Sequence, residues 1–198
     1  FQYSGRSIIY INKKEITLED KSFLELVPDN SIKVNVKSGI CILLVKKIVN
    51  SSLNNGFIRK GNVCSDSYKV TKPWGYEYWV TGLNPINDIV LKYIQINKGT
   101  KTSLQVHLEK YESNFIASGK ASFRIGLEEF STKKHYQLKE FLIESPTVID
   151  VSPLTIHQVE AMTDIELIEA STNHLDDVIR LQDDSGRADG KIQSEHNQ

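Results

Sequence analysis

Apolar side chains along this chain recur mostly at every second position or in short β-branched runs, and almost nothing keeps a helical repeat beyond two turns. The pattern predicts strands at Ser7–Ile11, Phe23–Val27, Ser31–Val36, Ile40–Ile48, Tyr76–Val80, Val90–Ile96, Ser103–His107, Glu112–Ala117, Lys120–Ile125, His135–Leu138, Phe141–Ile143, Thr147–Val151, His157–Ala161 and Ile165–Ser171. Turn-forming residues separate them at Pro28-Asp29-Asn30, Asn54-Asn55-Gly56, Asn97-Lys98-Gly99, Ser118-Gly119 and Ser152-Pro153. Many short strands at even spacing describe an all-β sandwich or jelly roll.

Between Val49 and Val70 the chain turns rich in Asn, Ser, Gly and Lys, which reads as a connector with a boundary near residue 66. Residues 1–65 then form an amino-terminal β extension, whether a dimerisation sheet, a degenerate barrel half or strands added to a barrel edge. Residues 66–187 carry the main barrel. The segment 188–198 is polar, lacks a run of large apolar residues, and is expected to be loosely held.

Composition narrows the class. The 198 residues are 39% hydrophobic and 25% charged, with 24 basic against 25 acidic side chains and a net charge of −1, which is ordinary globular material without the basic excess of a nucleic-acid binder. Cys41 sits in an apolar run and Cys64 in a polar loop, so neither zinc spacing nor a redox pair is present, and Cys41 is expected to be buried and inert. The longest apolar run, Ile40 to Val45, is far too short to span a bilayer, and no signal peptide is visible, so a cytoplasmic location without membrane attachment is the default expectation. The chain opens on Phe1 and not on Met, as a trimmed chain or part of a longer polypeptide would.

The stretch Gly99-Thr-Lys-Thr-Ser-Leu-Gln105-Val-His107-Leu-Glu-Lys-Tyr-Glu112 carries the chemistry. Residues two apart on a strand share a face, so Gln105 and His107 both point into the barrel if Leu104 and Val106 pack outward. Glu112, on the next strand, can add a carboxylate, and His157 a second imidazole from across the barrel. One amide oxygen, two imidazoles and one carboxylate suit a divalent transition metal, zinc first, with manganese, iron, cobalt or nickel as alternatives.

The spacing Gly99-x5-Gln105-x-His107-x4-Glu112-x6-Gly119 resembles the first cupin motif, with Gln where the first His usually stands. The second motif is kept only in part, over Ser145 to His157: family patterns put Gly at Pro146, Pro at Ser152, Gly at Leu154 and Asn at Ala161. More closely, the chain resembles the cupin domain of type II mannose-6-phosphate isomerases, which are often fused to a mannose-1-phosphate guanylyltransferase. The resemblance spans roughly Lys72 to Arg187, through Lys72-Pro-Trp-Gly-Tyr-Glu77, Gly99 to His107, Ser118-Gly-Lys-Ala121, and Asp176-Asp-Val-Ile-Arg-Leu-Gln-Asp-Asp-Ser-Gly-Arg187. Leu108-Glu109-Lys110 departs from the His-His-Arg common there.

The resemblance implies a cupin jelly-roll barrel, a double-stranded β-helix, and a metal-dependent aldose–ketose isomerase acting on mannose 6-phosphate and fructose 6-phosphate in the supply of nucleotide sugars or surface polysaccharide. Proton transfer through an enediol needs a base, and Glu109 and Lys110 are the nearest candidates in sequence. For the phosphate, Lys101 and Ser103 share a strand face with Gln105, and Arg180 and Arg187 are further cations, although an ion-pair network with Asp176, Asp177, Asp183 and Asp184 competes for them. Trp74 reads as a plug of the barrel. The alternatives are a non-catalytic sugar-binding or regulatory cupin, or another cupin enzyme such as an epimerase or dioxygenase. A homodimer is the expected assembly, since sheet edges need cover.

Overall fold

The computed structural model describes residues 1–11, 14–26, 32–42, 58–83, 88–132 and 135–196, which divide into two compact units, Phe1–Tyr68 and Lys69–Gln198. In the first unit β1 (Gln2–Ile11) pairs antiparallel with β2 (Lys14–Leu18) and β4 (Ile32–Cys41), and β3 (Ser22–Leu26) pairs with β5 (Ile58–Asn62). Alternation on β1 sends Ile9 and Ile11 to one face, where they form a small core with Leu18, Ile16, Leu24, Ile32 and Val34. A single helical turn, α1 (Val63–Asp66), follows β5, with the Asn62 side chain accepting from the Cys64 amide at 2.9 Å as its cap. Cys41 is half-buried and not fully buried as expected, because it ends a strand whose last residues are exposed, and both cysteines are free thiols.

The second unit holds two antiparallel sheets. One runs in the order β13 (Thr147–Val151), β10 (Glu112–Ser118), β15 (Ile165–Thr172), β8 (Ile89–Ile96), β7 (Gly75–Trp79), β6 (Tyr68–Lys72). The other runs β12 (Leu138–Glu144), β11 (Lys120–Gly126), β14 (His157–Ala161), β9 (Leu104–Val106), β16 (Ile179–Gln182). From β8 onward the chain passes from one sheet to the other at each successive strand, apart from the β11–β12 hairpin within one sheet, which is jelly-roll topology. The two inner faces meet over Trp74, Ile94, Ile96, Ile116, Ala121, Phe123, Val159, Ile165 and Leu167, so Trp74 does plug the interior.

The pattern misplaced some elements for physical reasons. β2, β5, β6 and β16 were not foreseen; β5, Ile-Arg-Lys-Gly-Asn, has almost no apolar signal and exists because all five of its residues pair with β3. The two segments expected at His135–Leu138 and Phe141–Ile143 are one strand, β12, paired with β11 along its whole length. The strand expected at Ile40–Ile48 is the end of β4 up to Cys41, and residues 43–48, Val27, and the turn signals at 28–30 and 54–56 lie outside the described residues. The segment beyond Arg187, expected to be loosely held, is bonded back in its described part: Gly190 N–H donates to Val178 O at 2.8 Å, and Gln193–His196 form a 3-10 turn.

Candidate metal centre

The site is assembled at the middle of the second sheet. Gln105 on β9 is the register partner of His157 on β14 and of Arg180 on β16. Directly opposed residues on neighbouring strands project to the same face, so these three side chains stand in one row. Leu104 and Val106 leave by the opposite face into a separate cluster with Ile156, Phe130, Ile179 and Leu181, as the alternation required. His107 follows the end of β9, and Glu112 opens β10 of the facing sheet.

His107, Glu112 and His157 are all buried, and one donor atom from each lies within 4.8 Å of the others. His107 Nε2 is 3.3 Å from Glu112 Oε1, and His157 Nε2 is 3.5 Å from Glu112 Oε2. Ligands about 2.0–2.2 Å from one ion stand roughly 3.0–3.6 Å apart, so the spacing suits a shared cation. The tautomers agree. His107 Nδ1 donates to the carbonyl of Asp177, and His157 Nδ1 donates to the carbonyl of Thr155 at 3.0 Å, which leaves both Nε2 lone pairs facing the carboxylate. Two lone pairs and an anion turned on one another form an arrangement that a divalent ion relieves. Burial holds His157 below the usual histidine range, partly offset by Glu112.

Gln105 stands beside this group. Its Oε1 accepts from Ser103 Oγ at 2.7 Å, while its Nε2 is 3.4 Å from His107 Nε2 and 3.3 Å from His157 Nε2. To present oxygen to an ion the amide turns over, and the Ser103 hydroxyl can bond it either way, since it both donates and accepts.

Lys110 is not a base. Its ammonium is buried between Glu112 Oε1 at 2.5 Å and Glu169 Oε1 at 2.8 Å. Burial alone would favour the neutral amine, but the two carboxylates outweigh it and raise its pKa above the usual lysine value. The same contact, against the cost of burial, keeps Glu112 well below the usual carboxylate range. Glu109 is exposed, pairs with His174 at 3.2 Å and does not reach the cavity, because the bend after His107 turns it outward. Lys101 also points away: β9 begins only at Leu104, and the Lys101 ammonium lies 3.0 Å from Asp184. Ser103 and Arg180 do line the cavity.

From Glu112 a file of alternating charges crosses the interior, of which only the Arg187–Asp183 pair at its far end was expected. Lys110 meets Glu169; Lys92 lies 3.6 Å from Glu169 and 3.5 Å from Glu77; Lys72 lies 3.9 Å from Glu77 and 2.7 Å from Glu195; Arg187 lies 3.2 Å from Glu195 and 2.6 Å from Asp183. Glu77 is drawn down to about 2: burial opposes its charge, and Lys92, Lys72 and the Trp79 indole N–H more than compensate. The available signal was a single charge within each otherwise buried strand, Glu77 in Gly-Tyr-Glu-Tyr-Trp and Lys92 in Ile-Val-Leu-Lys-Tyr-Ile. Asp177 was also assigned wrongly. It caps the backbone N–H groups of Leu108, Glu109 and Lys110 at 2.9, 2.7 and 3.0 Å and bonds no arginine.

The candidate metal donors face one cavity of about 110 Å³, lined also by the cations Lys72, Lys92, Lys110, Arg180, Arg187 and Lys191 and the carboxylates Glu77 and Glu169, with Glu195 and Asp183 paired to Lys72 and Arg187.

No family model and no curated protein matches this sequence. Among solved structures, Bacillus subtilis oxalate decarboxylase superposes with a TM-score of 0.64 at 10% identity, over 91% of this chain and 64% of that one. An oxalate decarboxylase formate complex from Lactobacillus farciminis gives 0.50 at 16% identity, over 69% of this chain and 39% of that one. The capsular polysaccharide assembling protein CapF from Staphylococcus aureus gives 0.48 at 16% identity, over 58% and 32%. The chain thus spans less than two thirds of the length of each. At such identities the likeness is one of architecture, and together with the strand order above it establishes that this chain has the cupin jelly-roll fold.

Proposed function

We propose that the chain is a divalent-metal cupin that takes a small sugar phosphate and interconverts aldose and ketose, the mannose 6-phosphate to fructose 6-phosphate type being the first substrate pair to test. One observation carries the reading: three buried side chains that could hold a metal ion face a cavity that Arg180 also lines. His107, Glu112 and His157 would hold the ion, with Gln105 alongside. Bound there, a divalent ion supplies polarisation of the carbonyl and hydroxyl oxygens of the substrate. Thr155 and Asp177 aim the imidazoles, and Arg180, which makes no salt bridge among the described residues, favours an anionic group on the ligand. The cavity volume lies below the ~300–1,000 Å³ of common ligand pockets, which favours a compact ligand over a nucleotide-sized one. Zinc and manganese are the ions to test first; the Bacillus subtilis decarboxylase has Mn(II) centres.

A second reading is favoured by the fate of the two candidate bases. With Glu109 outside the cavity and Lys110 held as an ammonium, a sugar-binding cupin without turnover fits the same site. Metal analysis of the purified chain, joined to a coupled isomerase assay on wild type and His107→Ala, separates the two. The isomerase reading expects metal and turnover in wild type and neither in the variant. Metal with sugar-phosphate binding but no turnover selects the second reading, and absence of metal overturns both.

A further inference from the structure

Of the two arginines in the closing segment, only Arg187 makes a direct salt bridge among the described residues. Arg187 is held by Asp183 through Nε and Nη2, at 3.0 and 2.6 Å, and by Glu195. Arg180 has no carboxylate within ion-pair distance among the described residues; its Nη1 donates to the backbone carbonyls of Ala188 and Gly190, the latter at 2.9 Å. Its Nε is buried without a hydrogen-bond partner, and both hydrogen bonds of the guanidinium among the described residues are made by Nη1, which leaves Nη2 unused. A buried N–H left unmade costs free energy.

The pattern of used and unused donors is specific. Nη1 lies on the Cδ side of a guanidinium, so Nε and Nη2 together form its side-on edge, two parallel N–H groups that match the two oxygens of a carboxylate or phosphate. The carbonyls of Ala188 and Gly190 hold the plane in place from behind, which prepays part of the ordering a flexible side chain would need. Arg180 also stands in register with Gln105 and one strand beyond it from His157, so the free edge belongs to the same cavity wall as the candidate metal donors.

We propose that the Nε and Nη2 edge of Arg180 is an oxyanion site, binding one phosphate or carboxylate group of the ligand beside the metal centre. The site deepens the sugar-phosphate reading by naming where the anionic group sits, but it does not depend on turnover, so the two can fail separately.

The test is calorimetric titration of the full chain with inorganic phosphate and, in a second arm, with glycolate, for wild type, Arg180→Gln and Arg180→Lys. Anion affinity is expected to fall about tenfold or more in Arg180→Gln, the loss of a charge-assisted hydrogen bond, and to recover only in part in Arg180→Lys, which restores charge but not the fork. Metal content should stay at the wild-type level in both. Phosphate favoured over glycolate places a phosphoryl group at the site; the reverse order places a carboxylate there, which keeps the site and removes the sugar phosphate. Equal anion affinity in wild type and Arg180→Gln overturns the proposal. Should the variants not fold, mapping of arginine modification by a dicarbonyl reagent on the wild-type chain decides: saturating phosphate or glycolate protects Arg180 and not Arg124 if the site exists, and protects neither if it does not.

Discussion

At the scale of single residues, Lys110 shows how far a neighbourhood can change a side chain's chemistry. In the sequence it reads as a base; in the fold it is a counter-ion for Glu112 and Glu169. Lys110→Met therefore strands the buried Glu112 and leaves Glu169 with Lys92 alone, and is expected to destabilise the chain by about 3–5 kcal/mol in urea unfolding, with part of the loss restored by added divalent ion, which gives Glu112 a cation again. Glu77 makes a pH prediction. Its folded pKa of about 2 lies below the ordinary 4.5, so as pH falls the unfolded chain takes up this proton first. The stabilisation is complete above pH 4.5 and is lost between there and about 2. Acid titration of unfolding free energy should show a shallower slope across that window in Glu77→Gln than in wild type. The candidate metal donors Gln105, His107, Glu112 and His157 were legible because a strand's two-residue period paired Gln105 with His107 and the cupin spacing pointed to Glu112 and His157. Asp177 was not, because its part is played through a backbone carbonyl and through backbone amides, and neither leaves a mark on residue type.

At the scale of elements, the strands with strong alternation or β-branched runs were legible, and those that exist by pairing alone were not. β16 shows the difference: Ile-Arg-Leu-Gln is too short and too embedded in charge to announce itself, yet its pairing with β9 brings Arg180 to the site. The turn joining β10 to β11 was legible from Ser118-Gly119. Gly119 has φ +99, and a Cβ there would stand 2.3 Å from the carbonyl oxygen of Asp164. Gly119→Ala should cost more than the about 1–3 kcal/mol of backbone strain alone, measured by thermal unfolding, whereas Gly99→Ala, with φ +76 but a Cβ that meets nothing within 4 Å, should lose only the strain.

At the scale of the whole chain, the file of charges ties the carboxy-terminal segment to the barrel unit through Glu195, which meets both Lys72 and Arg187. Glu195→Gln removes the charge that both cations share. Amide hydrogen exchange is expected to quicken over residues 188–196 while β8, β14 and β15 keep their protection; uniform quickening throughout the unit would show instead that the contact supports the barrel. The described residues contain no helix long and apolar enough to cross a membrane.

The oxygen of Glu112 that faces His107 is the same one that receives the Lys110 ammonium. An ion settling there would share its only anionic ligand with a permanent rival, and so would be gripped less firmly than by an unshared carboxylate. Such a centre exchanges its ion with the surroundings, and the identity of the occupant would follow whichever metal the surroundings keep in greatest supply.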